Sequence, residues 1–180
     1  HSSLDYPALL FSGCYKDPEL PGCQGPTSLT FIDQDGARFI YRGNQFSGFT
    51  LDGNAAGGSI SGSESRSWTL YRDNRRYAYS AAGVIQTIAD EAGVVLLYFQ
   101  HNGSQQLESV ADAAGRSVIL TRTNGRVTAV TDPAGQVWTY GYDGNGMLTS
   151  VTSPGASPDI RSYHYESSVA WWLLTGITIN

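Results

Sequence analysis

The chain has 180 residues, of which 41% are apolar and only 15% charged, and its formal net charge is −5. That is enough apolar material for a sizeable core, so global disorder is excluded, and the acidic balance speaks against a nucleic-acid partner, which needs a basic footprint. No apolar run approaches the roughly 18 residues of a membrane helix, and Leu9-Leu10-Phe11 and Trp171-Trp172-Leu173-Leu174 are far too short.

The start, His1-Ser2-Ser3, has no Met and no basic lead-in to an apolar stretch, so no signal peptide is visible, and the chain is expected to be either a mature fragment or one that begins with the remnant of an added tag. Cys14 and Cys23 follow, with Pro18, Pro21 and Gly22 between them to bend the chain. A small disulfide loop is expected, of the kind that persists outside the reducing cytosol. The alternative is two free thiols in a loop. Two Cys without a nearby His supply too few ligands for zinc, and no metal or cofactor is expected.

Residues 28–33 and 37–42 flank Gln34-Asp35-Gly36 and read as a hairpin. The run 53–63 is rich in Gly and Ser and is expected to be a mobile loop. Strand character resumes at Ser67-Trp68-Thr69-Leu70-Tyr71, and the basic cluster Arg72, Arg75 and Arg76, interrupted by Asp73, reads as a solvated turn. Residues 1–67 are therefore expected to form an irregular β region and 68–180 one continuous unit of tandem hairpins.

Within that second part, glycines recur at fixed spacing. Gly93, Gly115, Gly135 and Gly155 step by 22, 20 and 20 residues, and Gly83, Gly103, Gly125 and Gly146 fall between them. Two glycine-marked turns per period mean two strands per period. About ten residues per strand plus turn is too short for a crossover helix, so neighbouring strands must be antiparallel. Asp90, Asp112 and Asp132 each stand three residues before a closing glycine, where a carboxylate can accept backbone N–H bonds and hold the turn. In Asp132-Pro133-Ala134-Gly135, Pro133 presets φ and Gly135 accepts a positive one. Asn124-Gly125 and Asn145-Gly146 are good hairpin dipeptides.

Alternation places Trp138, Tyr140 and Tyr142 on one face of a strand, with Thr139 and Gly141 on the other. In the next strand Leu148 and Val151 differ in parity, so either a bulge intervenes or both faces are partly buried. Residues 162–165 and 171–179 look like a further, divergent hairpin. The expected fold class is all-β, an antiparallel meander of about ten to twelve strands.

Catalytic patterns are scarce. His1, His101 and His164 are the only histidines, and His101 sits beside the turn residues Asn102-Gly103. There is no Gly-x-Ser-x-Gly elbow, no phosphate-binding loop and no dinucleotide pattern. Asp33-Gln34-Asp35-Gly36 and Asp143-Gly144-Asn145-Gly146 lack the downstream Glu of a calcium loop. Trp138, Tyr140, Tyr142, Trp171 and Trp172 are candidates for stacking on sugar rings, with core packing as the competing role.

Tyr140-Gly141-Tyr142-Asp143-Gly144-Asn145-Gly146-Met147-Leu148-Thr149-Ser150-Val151-Thr152 resembles the repeat of the Rhs/YD family: a Tyr-Asp pair, a Gly turn and a Leu-Thr strand. Residues 124–135 resemble the same pattern, and the likeness covers about residues 68–155. It implies a segment of a long β-sheet that spirals into a hollow shell. In bacterial Rhs effectors and insecticidal toxin complexes such a shell encloses a C-terminal toxin, in teneurins it serves cell-surface adhesion, and some YD proteins are linked to carbohydrate. The self-cleaving core and the toxin domain of the complete pattern are not visible in this chain.

On that resemblance the chain is expected to be a non-enzymatic scaffold element of a bacterial secreted or surface protein, with a secretion system as one route of delivery. Its partners would be the remainder of its own polypeptide shell and a toxin domain. The alternative is a carbohydrate- or cell-surface-binding module, and a hydrolase ranks last. Open sheet edges would favour self-association.

Overall fold

A computed structural model describes residues 8–12, 28–32, 37–44, 48–51, 58–62 and 67–180. Cys14 and Cys23, and the turn Gln34-Asp35-Gly36, lie outside the described residues. The described residues form sixteen strands in one sheet whose order follows the sequence from the first to the last. The all-β antiparallel meander is thus the fold, with more strands than the ten to twelve expected.

The chain divides into two compact units, His1–Leu107 with Asp112–Ala114, and Glu108–Ala111 with Gly115–Asn180. The first unit holds β1 (Ala8–Ser12), β2 (Ser28–Ile32), β3 (Arg38–Asn44), β4 (Gly48–Leu51) and β5 (Ser59–Gly62). It continues with β6 (Ser67–Arg72), β7 (Arg75–Ser80), β8 (Ile85–Asp90) and β9 (Val95–His101). β10 (Leu107–Asp112) leads into the second unit, which holds β11 (Ser117–Thr123), β12 (Arg126–Thr131), β13 (Val137–Tyr142), β14 (Leu148–Thr152), β15 (Ile160–His164) and β16 (Gly176–Ile179).

Of the Gly/Ser-rich run, residues 53–57 and 63 lie outside the described residues, and 59–62 are a strand where a loop was expected. This strand, β5, pairs with β4 and β6. Ile60 sits opposite Phe49 on one side and Leu70 on the other, and is fully buried. One apolar side chain at the right parity anchors the segment despite its Gly and Ser neighbours. Pairing continues across position 67/68, since β6 bonds to both β5 and β7.

The core of the first unit follows this cross-strand logic. Leu29 faces Tyr41, Phe49 faces Ile60, Ile60 faces Leu70, and Trp68 faces Tyr79. All of these are fully buried. A flat sheet cannot bury a side chain completely on its own face. Here the first unit bends so that Phe31 of β2 meets Tyr77 of β7 with ring centroids 6.1 Å apart, and Phe49 of β4 meets Trp68 of β6 at 5.9 Å. Each such burial stabilises by about 1.5–3 kcal/mol before entropy is counted. Arg72 closes the cluster, its guanidinium carbon 3.6 Å from the centroid of the Phe39 ring.

The hairpin turns share one chemistry. At Ser80, Asp90, Asn102, Asp132 and Asp143 the residue's N–H donates to the carbonyl four residues on, and its carbonyl accepts from the N–H three residues on. This is the three-residue loop that ends in a residue with positive φ. Gly83, Gly93, Gly135 and Gly146 hold that last position at φ 78°, 92°, 79° and 83°. The first residue's side chain completes the turn. Asp132 Oδ1 accepts from Ala134 N and Gln136 N, both at 2.8 Å, and Asp143 Oδ1 accepts from Asn145 N at 2.9 Å and Met147 N at 2.8 Å. Asp90 Oδ1 accepts from Val94 N at 2.8 Å, and Asp112 Oδ1 from Ala114 N at 2.9 Å, with Gly115 at φ 82°.

Two positions differ from the glycine spacing. Gly103 does not hold the positive-φ place in its turn; Gln105 does, at φ 61°. Asn145-Gly146 is not a two-residue turn, because Asn145 keeps a negative φ and Gly146 closes a three-residue loop. Two-residue turns with two positive φ values are instead found at Asp73-Asn74 and Asn124-Gly125.

Bulges recur at a fixed offset. The register skips Gln86, Leu96, Thr128 and Thr149, each three residues after a positive-φ glycine, Gly83, Gly93, Gly125 and Gly146 respectively. The bulge at Thr149 resolves the parity of β14: Val151 opposes Tyr140 and Leu148 opposes Tyr142, so both lie on the aromatic side.

Candidate functional site

β13 carries the aromatic stripe of the second unit. Its burial alternates as the sequence implied, with Trp138 and Tyr140 half-buried and Val137 and Thr139 exposed. Trp138 opposes Val130, which opposes Leu120. Tyr140 opposes Val151, and Val151 opposes Arg161. One face is thus a band of Val118, Leu120, Val130, Trp138, Tyr140 and Val151, with Arg161 next to Val151. The other face carries hydroxyls, with Thr121, Thr131, Thr139, Thr152 and Ser162 on it, interspersed with Ile119, Val137 and Ile160. No described side chain of the second unit is buried.

Tyr142 has a local role at the end of the stripe. Its hydroxyl donates to the Val127 carbonyl at 2.8 Å, and the Arg126 guanidinium carbon lies 5.9 Å from its ring centroid. Arg126 also covers Gly146, where a Cβ would run into the guanidinium. Tyr142 therefore ties β13 to β12 at the end of the pair away from the Asp132 turn.

Trp138 floors an open depression of about 280 Å³ that Val151, Ser153, Asp159, Arg161 and Ile179 complete. The site combines apolar side chains with a carboxylate, a guanidinium and a hydroxyl. Sequence spacing did not reveal Asp159, Arg161 and Ile179, because they reach Trp138 through the β14–β15 connection and the register of β15 on β14 and β16. Trp171 and Trp172 do not line this depression. They stand in the β15–β16 connection, outside any strand, with their rings edge-to-face at 5.6 Å and 54% and 59% exposed.

One His, hydroxyl and carboxylate set is present. His164 Nε2 and Thr178 Oγ1 share a hydrogen bond of 2.9 Å, and Glu166 Oε1 lies 3.9 Å from His164 Nδ1. The latter distance is beyond hydrogen-bond reach, and Glu166 is 79% exposed. His164 and Thr178 form a cross-strand clip between β15 and β16. Two arginines of the first unit are likewise engaged: Arg72 Nε lies 3.1 Å from Asp73 Oδ2, and Arg76 Nη2 donates to the Glu91 carbonyl at 2.6 Å. Among the described residues no group of His, Cys, Asp and Glu side chains has the makings of a metal site, and no helix is long and apolar enough to cross a membrane.

Residues 123–158 match the family model described as RHS Repeat. This window takes in β12, β13, β14 and the Asp132 and Asp143 turns whose side chains cap the backbone. Residues 123–158 carry the repeat of the Rhs/YD family. The Rhs repeat is a structural repeat, and the capped turns, offset bulges and aromatic stripe are its physical content here. No curated protein matches the chain.

Proposed function

We propose that the chain is a non-enzymatic wall segment of an Rhs/YD shell, one that encloses or presents a toxin or effector domain in a bacterial secreted or surface protein. The observation that carries this reading is the chemical difference between the two faces of the second unit. A contiguous aromatic and aliphatic band whose side chains stop at half-burial is a surface built to be covered, while the other face mixes hydroxyls with the exposed Ile119, Val137 and Ile160. Polypeptide from the remainder of the shell or its cargo is the natural cover. The test places a photo-crosslinking amino acid at Tyr140 or at the adjacent Thr139, on opposite faces, in the protein as its natural host makes it. The reading expects the probe at Tyr140 to capture polypeptide and the probe at Thr139 to capture far less. Equal capture from both positions would overturn it.

The depression over Trp138 favours a second reading, a carbohydrate-binding surface. A sugar would stack on the indole while Asp159 and Arg161 bond its hydroxyls. Glycan-array binding that Trp138→Ala abolishes would support this, and binding unchanged by the substitution would remove the site.

A further inference from the structure

We propose that the tip of the β6–β7 hairpin is a binding site for a small organic carboxylate, one that carries hydrogen-bond donors beside its carboxyl group. The basic cluster Arg72, Arg75 and Arg76 does more than surround the Asp73-Asn74 turn. With Tyr71, Asp73 and Glu91 it lines a depression of about 390 Å³. That volume suits a small molecule rather than a single ion. β6, β7 and β8 each pair with a strand on both sides, so the surroundings of the site are set whatever continues the sheet.

Two of the three guanidinium groups are held in place before any ligand arrives. Arg72 lies over the Phe39 ring, 3.6 Å from its centroid, with Nε 3.1 Å from Asp73 Oδ2. Arg76 reaches over the Tyr71 ring at 5.6 Å, and its Nη2 donates to the Glu91 carbonyl at 2.6 Å. Fixed side chains lose less entropy on binding, and a planar guanidinium matches a carboxylate better than a point charge does.

Positive charge at the tip is under-neutralised. Arg72 Nη1 is buried without a hydrogen-bond partner, and the Asp73 carboxylate that meets its Nε is itself 76% exposed. Arg75 stands directly opposite Arg72 in the last rung of the hairpin, where like charges repel. Its side chain is exposed, and no hydrogen bond or ion pair engages it among the described residues. A bound anion turns this repulsion into attraction. Alternation sets Arg72 and Arg75 on one face of the hairpin and Tyr71 and Arg76 on the other, so a ligand held by all three arginines lies across the tip.

The charges lining the depression select among anions. Three guanidinium groups and two carboxylates leave one net positive charge, which suits a carboxylate better than a phosphate ester carrying about two negative charges. Asp73 and Glu91 are acceptors for hydroxyl or ammonium groups beside the bound carboxyl, and the Tyr71 ring supplies an apolar wall. Sugar acids and amino acids share this chemistry.

Two-dimensional NMR of the labelled chain, following the arginine Nε–H signals, tests the proposal with sodium glucuronate and sodium glutamate as probes. A saturable shift of the Arg72 and Arg76 signals is expected with at least one of them, and the tighter of the two names the source as a sugar acid or an amino acid. Arg75→Gln removes a charge, and Arg76→Lys keeps the charge but removes the fork. Each is expected to weaken binding at least about tenfold with an unchanged circular dichroism spectrum. Glucose, which lacks the carboxyl group, is expected to give no saturable shift, and inorganic phosphate a weaker one than the better carboxylate. No saturable shift with either probe, an equal response to glucose, tighter binding of phosphate, or binding that both substitutions leave unchanged would each overturn the proposal.

Discussion

Gln105 holds a backbone conformation that glycine holds at 83, 93, 115, 135 and 146. An L-residue in this region costs about 1–2 kcal/mol, whereas glycine there costs only its extra unfolded-state entropy of about 0.5–1 kcal/mol. Gln105→Gly is therefore expected to raise stability by about 0.5–1 kcal/mol. Urea unfolding measures it, and a lowered midpoint would contradict the turn assignment. The sequence signalled this turn through the wrong residue. Counting glycines picked out Gly103, although the position was marked by Asn102, whose Oδ1 accepts from Ser104 N and Gln106 N at 2.9 Å, as the carboxylate of Asp132 does in its own turn. The acceptor at the start of the loop is the more faithful sign, because it reports which backbone N–H groups converge.

At the scale of the strand, β5 was hidden by its composition. Gly and Ser residues surround Ile60 and mask the one side chain that the core requires. Ile60→Ala is expected to cost about 2–5 kcal/mol. A change below about 1 kcal/mol by chemical denaturation would show that β5 is not part of the core. Tyr41, on β3 in the same cluster, gives a pH signature. Burial pushes its phenol above the ordinary 10.0, with Arg72 pulling it part of the way back. The unfolded phenol loses its proton near pH 10 while the folded one keeps it, so the unfolded state binds fewer protons in that window. The stability from this group is complete below pH 10 and falls as pH rises towards the folded value. Tyr41→Phe is expected to flatten the alkaline decline in stability, leaving the part due to Tyr77, which burial shifts the same way. An unchanged pH profile would contradict the assignment. The parity break between Leu148 and Val151 was legible, and the bulge at Thr149 supplies its cause.

For the whole molecule, the repeat array was readable because its turns recur by chemistry as well as by count. The core of the first unit was not, since it depends on strands far apart in sequence, such as β2 and β7, coming face to face. The Trp138 depression was half legible: alternation gave the aromatic, but its polar rim comes from neighbouring strands whose register no single sequence displays. The two units consequently differ in how well they are closed. The first buries a continuous aromatic and aliphatic cluster, and the second leaves its apolar band half-covered. Amide hydrogen exchange of the isolated chain, resolved strand by strand, tests this most directly. The slowest exchange is expected in β2–β8 and exchange at least about tenfold faster in β11–β16, a gap of about 1.4 kcal/mol or more in opening free energy. Equal protection in β11–β16 and β2–β8 would contradict a wall whose aromatic face awaits its cover.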